Sequence, residues 1–122
     1  LKDTSIYIDK DYLLSDKDQK SIEEFIKNKK DGIPLDYIFK KSFFYGKEFL
    51  VDKRVLIPRP ETELLVEHIN NLDFQDGIKI VDAGSGSGCI GISIAIHNPN
   101  IQVYGLDYSA KSLEVAQINK NY

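Results

Sequence analysis

Ile80-Val81-Asp82-Ala83-Gly84-Ser85-Gly86-Ser87-Gly88, with Asp107 closing a second apolar run, is the stretch that decides the fold of this chain. The β-type run Ile78 to Val81 leads into a carboxylate and then a glycine loop, and a helix-compatible stretch begins at Cys89. In an open α/β sheet, ligands sit at the carboxyl ends of strands, where bare backbone can approach them and the next helix offers unpaired N–H groups. Glycines at alternate positions permit that approach, because a Cβ at Gly84 or Gly86 would restrict φ and hold a ligand off the backbone. The stretch reads as half of a nucleoside-cofactor site.

Working outward toward the C-terminus, the pattern alternates. Strand Ile78–Ala83, helix Cys89–His97, turn Asn98-Pro99-Asn100, strand Ile101–Leu106 and helix Ala110–Asn121 form a βαβα series. That series predicts a parallel sheet with right-handed crossovers. Toward the N-terminus the pattern is mixed. Ser15 reads as an N-cap ahead of a helix over Asp16–Lys29, with Ile22, Phe25 and Ile26 at helical spacing and Asp31-Gly32 as its stop. A short helix follows, with Pro34 in its first turn. Ser42 to Tyr45 and Lys47 to Val51 predict a hairpin around Gly46, with Phe43, Phe44, Tyr45 and Phe49 as packing residues. Val55-Leu56-Ile57 reads as a brief strand closed by Pro58-Arg59-Pro60, and Leu64, Leu65, His68 and Ile69 line one face of a further helix. The run Lys27-Asn28-Lys29-Lys30 suits a solvated helix end.

With 122 residues the chain is about one small domain. Its 42% hydrophobic and 29% charged residues are ordinary for a globular protein. A net charge of -3 leaves no basic footprint for a nucleic-acid backbone. Cys89 is the single cysteine, which excludes an intramolecular disulfide and suits a reducing cytoplasm. No apolar run approaches the roughly 18 residues that a membrane span requires, and the first residues do not resemble a signal peptide. The chain has no methionine, so Leu1 is expected to mark a trimmed or fragmentary start.

Two registers of the glycine loop compete. Gly86-Ser87-Gly88-Cys89-Ile90-Gly91 satisfies G-x-G-x-x-G, the dinucleotide fingerprint, but there the first glycine directly follows the strand. Here that glycine is Gly84, and counting from it the third fingerprint position is Cys89. The register Asp82-x-Gly84-x-Gly86-x-Gly88 fits better. A carboxylate at the strand end is awkward beside a pyrophosphate and useful beside an ammonium and a sulfonium. Asp107, by accepting from two ribose hydroxyls, supports a nucleoside without choosing between a nicotinamide dinucleotide and another cofactor. Ser85 and Ser87 read as small spacers, since no base and no G-x-S-x-G elbow accompanies them. His68 and His97 lack a second ligand at metal-binding spacing, so no metal is expected. Cys89 reads as a small core residue.

Upstream of the loop, Pro34-Leu35-Asp36-Tyr37-Ile38, Phe43-Phe44-Tyr45-Gly46 and Val55-Leu56-Ile57-Pro58-Arg59-Pro60-Glu61-Thr62-Glu63 stand ahead of Asp82 to Gly88. Together, over about Ile33 to Asn119, they resemble the release-factor glutamine methyltransferases of the HemK or PrmC type. The resemblance implies S-adenosylmethionine as cofactor, held by Gly84, Ser85, Gly86, Ser87, Gly88 and Asp107. It implies methyl transfer to a glutamine side-chain nitrogen in the Gly-Gly-Gln motif of a peptide-chain release factor, in translation termination. Arg59 and Glu61 are its candidate substrate-binding residues; Glu61 and Glu63 also suit the first turn of a helix electrostatically.

The fold it implies is α/β. A helical substrate-recognition domain over 1–40 and a β-hairpin linker over 41–60 precede, from 61 to 122, the start of a class I, Rossmann-like methyltransferase domain. The family's Asn-Pro-Pro-Tyr loop does not occur among these residues, whose only Asn-Pro is Asn98-Pro99. No catalytic residue is therefore assigned, and the chain is expected to be an inactive front portion of the enzyme. Its first parallel strand is expected to keep an open edge and to promote self-association.

Overall fold

The structure, a computed structural model, describes residues 13–121. The expected start at Leu1 and the first twelve residues of the helical part lie outside them. Helix α1 (Asp16–Lys30) opens on Ser15, whose hydroxyl accepts from the Asp18 N–H. It closes with Gly32 at φ 75°, where the Ile33 N–H reaches the Asn28 carbonyl and the Gly32 N–H reaches that of Lys29. This is a Schellman stop, built on a residue able to turn left-handed. The helix buries none of its residues; Ile22 and Ile26 are exposed, and its contact with helix α2 (Leu35–Phe39) runs through the Phe25 and Phe39 rings, 5.7 Å apart. Pro34 stands at the N-cap of α2, one place earlier than the sequence suggests.

Strands β1 (Lys41–Phe44) and β2 (Lys47–Leu50) pair antiparallel, with Phe44 opposite Lys47. Their two-residue loop has Tyr45 at φ 48° and Gly46 at φ 73°, the type I′ signs that match strand twist. Tyrosine is a costly choice for that conformation. Its neighbours compensate: the Tyr45 N–H donates to Glu63 Oε1 at 3.0 Å, and its ring packs edge-on against His97 at 5.1 Å. Alternation buries Phe44 and Phe49 and leaves Phe43 71% exposed, so of the four expected hairpin aromatics Phe43 alone does not pack.

Val55-Leu56-Ile57 is not a strand. Val55 is buried and its carbonyl accepts from the Tyr37 hydroxyl at 2.7 Å, while Leu56 is exposed. Two prolines follow within a few residues and withhold ladder donors. A 3-10 turn (Pro60–Thr62) then leads into α3 (Glu63–Asn70). Val66 and Ile69 face the core from α3, whereas Leu64 and Leu65 are exposed, contrary to the face the spacing suggested.

The remaining elements are β3 (Lys79–Ala83), α4 (Cys89–His97), β4 (Gln102–Leu106) and α5 (Ala110–Lys120). β3 and β4 pair in parallel, Asp82 opposite Gly105 and Ala83 opposite Leu106. Phe44, Phe49, Val66, Cys89, Ile94 and Ile101 form one buried cluster, so the hairpin and the α/β part share a core. A second cluster joins Val51 and Val55 to Val115 of α5. The other face of the parallel pair is open: Val81, Tyr104 and Leu106 are about half exposed.

Candidate functional site

The loop between β3 and α4 is left-handed at every second residue, with φ of 79° at Gly84, 54° at Gly86 and 79° at Gly88. L-residues resist that conformation, which explains the spacing of the glycines. A Cβ on Gly84 would meet nothing within 4 Å, and one on Gly86 would only graze the Gly84 carbonyl at 4.0 Å. The loop therefore presents open backbone on that side. Gly88 differs, since a Cβ there would stand 3.0 Å from Ile92 and 3.2 Å from Ala116. It is small because α4 and α5 close over it.

Several groups pin the loop. The Gly84 and Ser85 N–H groups both donate to the Leu106 carbonyl, at 2.7 and 2.9 Å, and the Gly88 N–H donates to the Ser85 carbonyl at 2.7 Å. The Gly86 N–H donates to Asp107 Oδ2 at 2.8 Å, and the Ser109 N–H to Asp107 Oδ1 at 2.8 Å. These bonds, that of Ser109 foremost, hold the Asp107 carboxyl below the usual carboxylate range. A carboxylate has about four acceptor directions, so two backbone donors leave capacity for further ones. Tyr108, next in sequence, is fully exposed.

Asp82 takes the opposite position. It shares the face of Ile80 in β3, and its Oδ2 accepts the Gly91 N–H at 3.0 Å. Gly88, the N-cap of α4, has no side chain to cap with, so a strand residue caps the helix instead. Burial pushes the Asp82 carboxyl up; the Gly91 bond opposes that shift and the Asp107 charge adds to it. Gly91 admits this approach, because a Cβ there would lie 3.1 Å from Asp82 Oδ2 and 3.3 Å from Val103 Cγ1.

Gly84 to Gly88 and Asp107 are thus brought together. Arg59 is exposed in extended backbone at φ -99°, and Glu61 is exposed in the 3-10 turn. Among the described residues no hydrogen bond joins either of them to the loop. Cys89 is buried, and burial raises its thiol above the ordinary range, in keeping with a core role. A cavity of about 430 Å³ lies between α4, β4 and α5, lined by Asp82, Ser85 and Ala116 among others; neither Gly84, Gly86 nor Asp107 lines it. Of the loop, Ser85 and Gly88 line it.

Asn119 escaped the sequence reading. It is 4% exposed, and its side-chain amide bonds both backbone groups of Leu50 and the carbonyl of Ser87. A signal existed: Ser112, Val115 and Asn119 fall at i, i+3 and i+7 of one helix face, a buried stripe carrying a polar residue.

A parallel βαβα unit with a left-handed glycine loop and an acid after its second strand is compatible with the start of a class I methyltransferase sheet, and the family model described as "Methyltransferase domain" matches residues 74–122. Similar proteins extend the match forward. A release factor glutamine methyltransferase of Chlorobaculum tepidum is 41% identical over 98% of this chain and 42% of its own length. Those of Bacillus subtilis and Flavobacterium psychrophilum are 44% and 47% identical, each over 74% of this chain and 33% of the relative. The chain belongs to the release factor glutamine methyltransferase family and spans about two fifths of the length of the Chlorobaculum relative. Membership implies S-adenosylmethionine as the cofactor.

Proposed function

We propose that this chain provides the cofactor loop and part of the substrate face for S-adenosylmethionine-dependent N5-methylation of a glutamine side chain in a peptide-chain release factor. The observation that carries the reading is the left-handed glycine loop pinned through Gly86 to Asp107, with open backbone at Gly84 and Gly86. Those residues fit the group: a Cβ at either glycine would project into the open space beside the loop, and Asp107 retains acceptor capacity suited to ribose hydroxyls. Tyr108, exposed beside Asp107, offers an aromatic face at the same edge.

Bound S-adenosylmethionine supplies a methyl group activated by a sulfonium. The chain's own contribution is placement. Gly84 and Gly86 would bring open backbone close to the cofactor, Asp107 would orient its ribose, and Arg59 and Glu61 present charges on the exposed turn before α3. An amide nitrogen is a poor nucleophile, because its lone pair is delocalised, so it must be oriented in line and its N–H groups held on acceptors. We assign that task to an Asn-Pro-Pro-Tyr loop of the family, a motif that does not occur among these 122 residues. Methyl transfer is accordingly expected from a polypeptide of the relatives' length, acting in the cytoplasm.

Calorimetry with S-adenosylhomocysteine on such a polypeptide should show binding that Gly86→Val abolishes; absence of binding to the unsubstituted protein overturns the reading. Arg59→Ala should raise KM for the release factor and leave S-adenosylhomocysteine affinity unchanged. The 122-residue chain alone should self-associate through the open edge of its parallel pair. A monomer at high concentration by light scattering contradicts that expectation.

A further inference from the structure

We infer that Asn119 is a positioning residue that ties the cofactor loop to the hairpin. The inference rests on the reading of Gly84 to Gly88 as a cofactor loop. Asn119 Oδ1 accepts the Leu50 N–H at 2.7 Å, and its Nδ2 donates to the Leu50 carbonyl at 3.0 Å. One side-chain amide thus pairs both backbone groups of the last β2 residue, as a neighbouring strand would. The same Nδ2 donates to the Ser87 carbonyl at 2.9 Å. Both amide hydrogens and one acceptor direction are in use, and no other amino acid of that length offers them.

The placement gives these bonds their consequence. Leu106 and Asp107, which hold Gly84, Ser85 and Gly86, belong to β4 or follow it directly. Ser87 is 2% exposed and is held from a different quarter, the last turn of α5. That helix face also seats the segment after the hairpin. Val115 packs with Val51 and Val55, the Ser112 hydroxyl donates to the Arg54 carbonyl at 2.9 Å, and Arg54 pairs with Glu114 at 3.0 Å. Ser112, Val115 and Asn119 form one seam, and only Asn119 continues it into the loop. A shift of the hairpin is therefore felt at Ser87, one residue before the left-handed Gly88 that starts α4. An aspartate at 119 would keep the shape while putting an oxygen in place of Nδ2, where the Leu50 and Ser87 carbonyls would repel it.

Hydrogen exchange and S-adenosylhomocysteine calorimetry on Asn119→Asp, Asn119→Ser and Val115→Ala test the inference. Serine is too short to span Leu50 and Ser87 and avoids the repulsion, so it serves if the aspartate variant does not fold. Val115→Ala lowers melting temperature without touching the loop bonds. Asn119→Asp or Asn119→Ser should speed exchange of the Leu50 and Gly88 amides at least tenfold and weaken S-adenosylhomocysteine at least tenfold. Val115→Ala, measured well below its melting temperature, should bind within about twofold of the unsubstituted protein. Unchanged Gly88 exchange and unchanged affinity in a folded Asn119 variant overturn the inference. So does an equal loss of affinity in Val115→Ala, which makes the effect one of general stability. If the unsubstituted protein itself does not bind, the site reading fails, and Gly88 exchange alone still decides whether Asn119 holds the loop.

Discussion

The carboxyl ends of β3 and β4 are built alike, each an apolar run leading to an aspartate, yet the two carboxylates have opposite environments. Asp82 lies within its strand, on the face that α4 covers, and caps Gly91 from inside. Asp107 lies one residue past its strand, where the chain has left the sheet, and holds Gly86 and Ser109 at the surface. Burial raises the first carboxyl and backbone donors lower the second. Strand parity teaches the difference: a residue inside a strand has its face set by its neighbours, while one past the end can turn toward a ligand. Asp82 caps α4 from within, and Asp107 pins the loop with acceptor capacity to spare.

Substitutions can break this contrast. Asp107→Ala should have the largest effect, weakening S-adenosylhomocysteine about 100-fold by calorimetry, because the charge-assisted bond to the loop and the one proposed to the ribose would vanish together. Gly91→Val should come next. Its side chain would press on Asp82 and Val103, lowering stability by about 2 kcal/mol in urea denaturation. Asp82→Ala removes the cap on α4 and should cost about 1 kcal/mol by the same measurement. Asp82→Asn keeps an acceptor for Gly91, so its loss should stay within about 0.5 kcal/mol.

The smallest effect is a pH dependence with opposite signs at the two acids. A raised folded pKa contributes stability fully present below the unfolded value and lost as pH rises through the folded one. Asp82→Asn should therefore gain in melting temperature relative to the unsubstituted protein as pH rises from about 4, the ordinary carboxylate value, toward neutrality. For Asp107 the folded pKa is depressed, so its contribution is present above the unfolded value and lost as pH falls through the folded one. Asp107→Asn should lose melting temperature relative to the unsubstituted protein over that lower range as pH rises. Parallel pH profiles for the two variants would erase the distinction between the strand ends.

Legibility in the sequence followed the range of the interactions. Helix α4 runs from Cys89 to His97 as the pattern suggests, and Ser15, Gly32 and Gly46 act where their chemistry placed them, while Tyr45 leaves the expected strand for the turn. These are local effects of capping and backbone preference. The faces of α3 were misread, since Val66 is buried and Leu64 and Leu65 are not. Apolar spacing gives a stripe, but which part of it meets the core depends on elements far along the chain. Val55 to Ile57 has strand-forming side chains and no strand, because an extended run needs a partner ladder.

By itself the sequence determined the βαβα order, the glycine spacing and the family, because glycine conformation, caps and a long motif are properties of adjacent residues. Only tertiary structure decided that Asp82 turns inward, that the hairpin shares a core with the α/β part, and that Asn119 joins Leu50 to Ser87. Leu50 and Asn119 stand 69 residues apart. No local preference links them; the contact exists because parallel pairing and the packing of α5 bring both to the same side of the glycine loop.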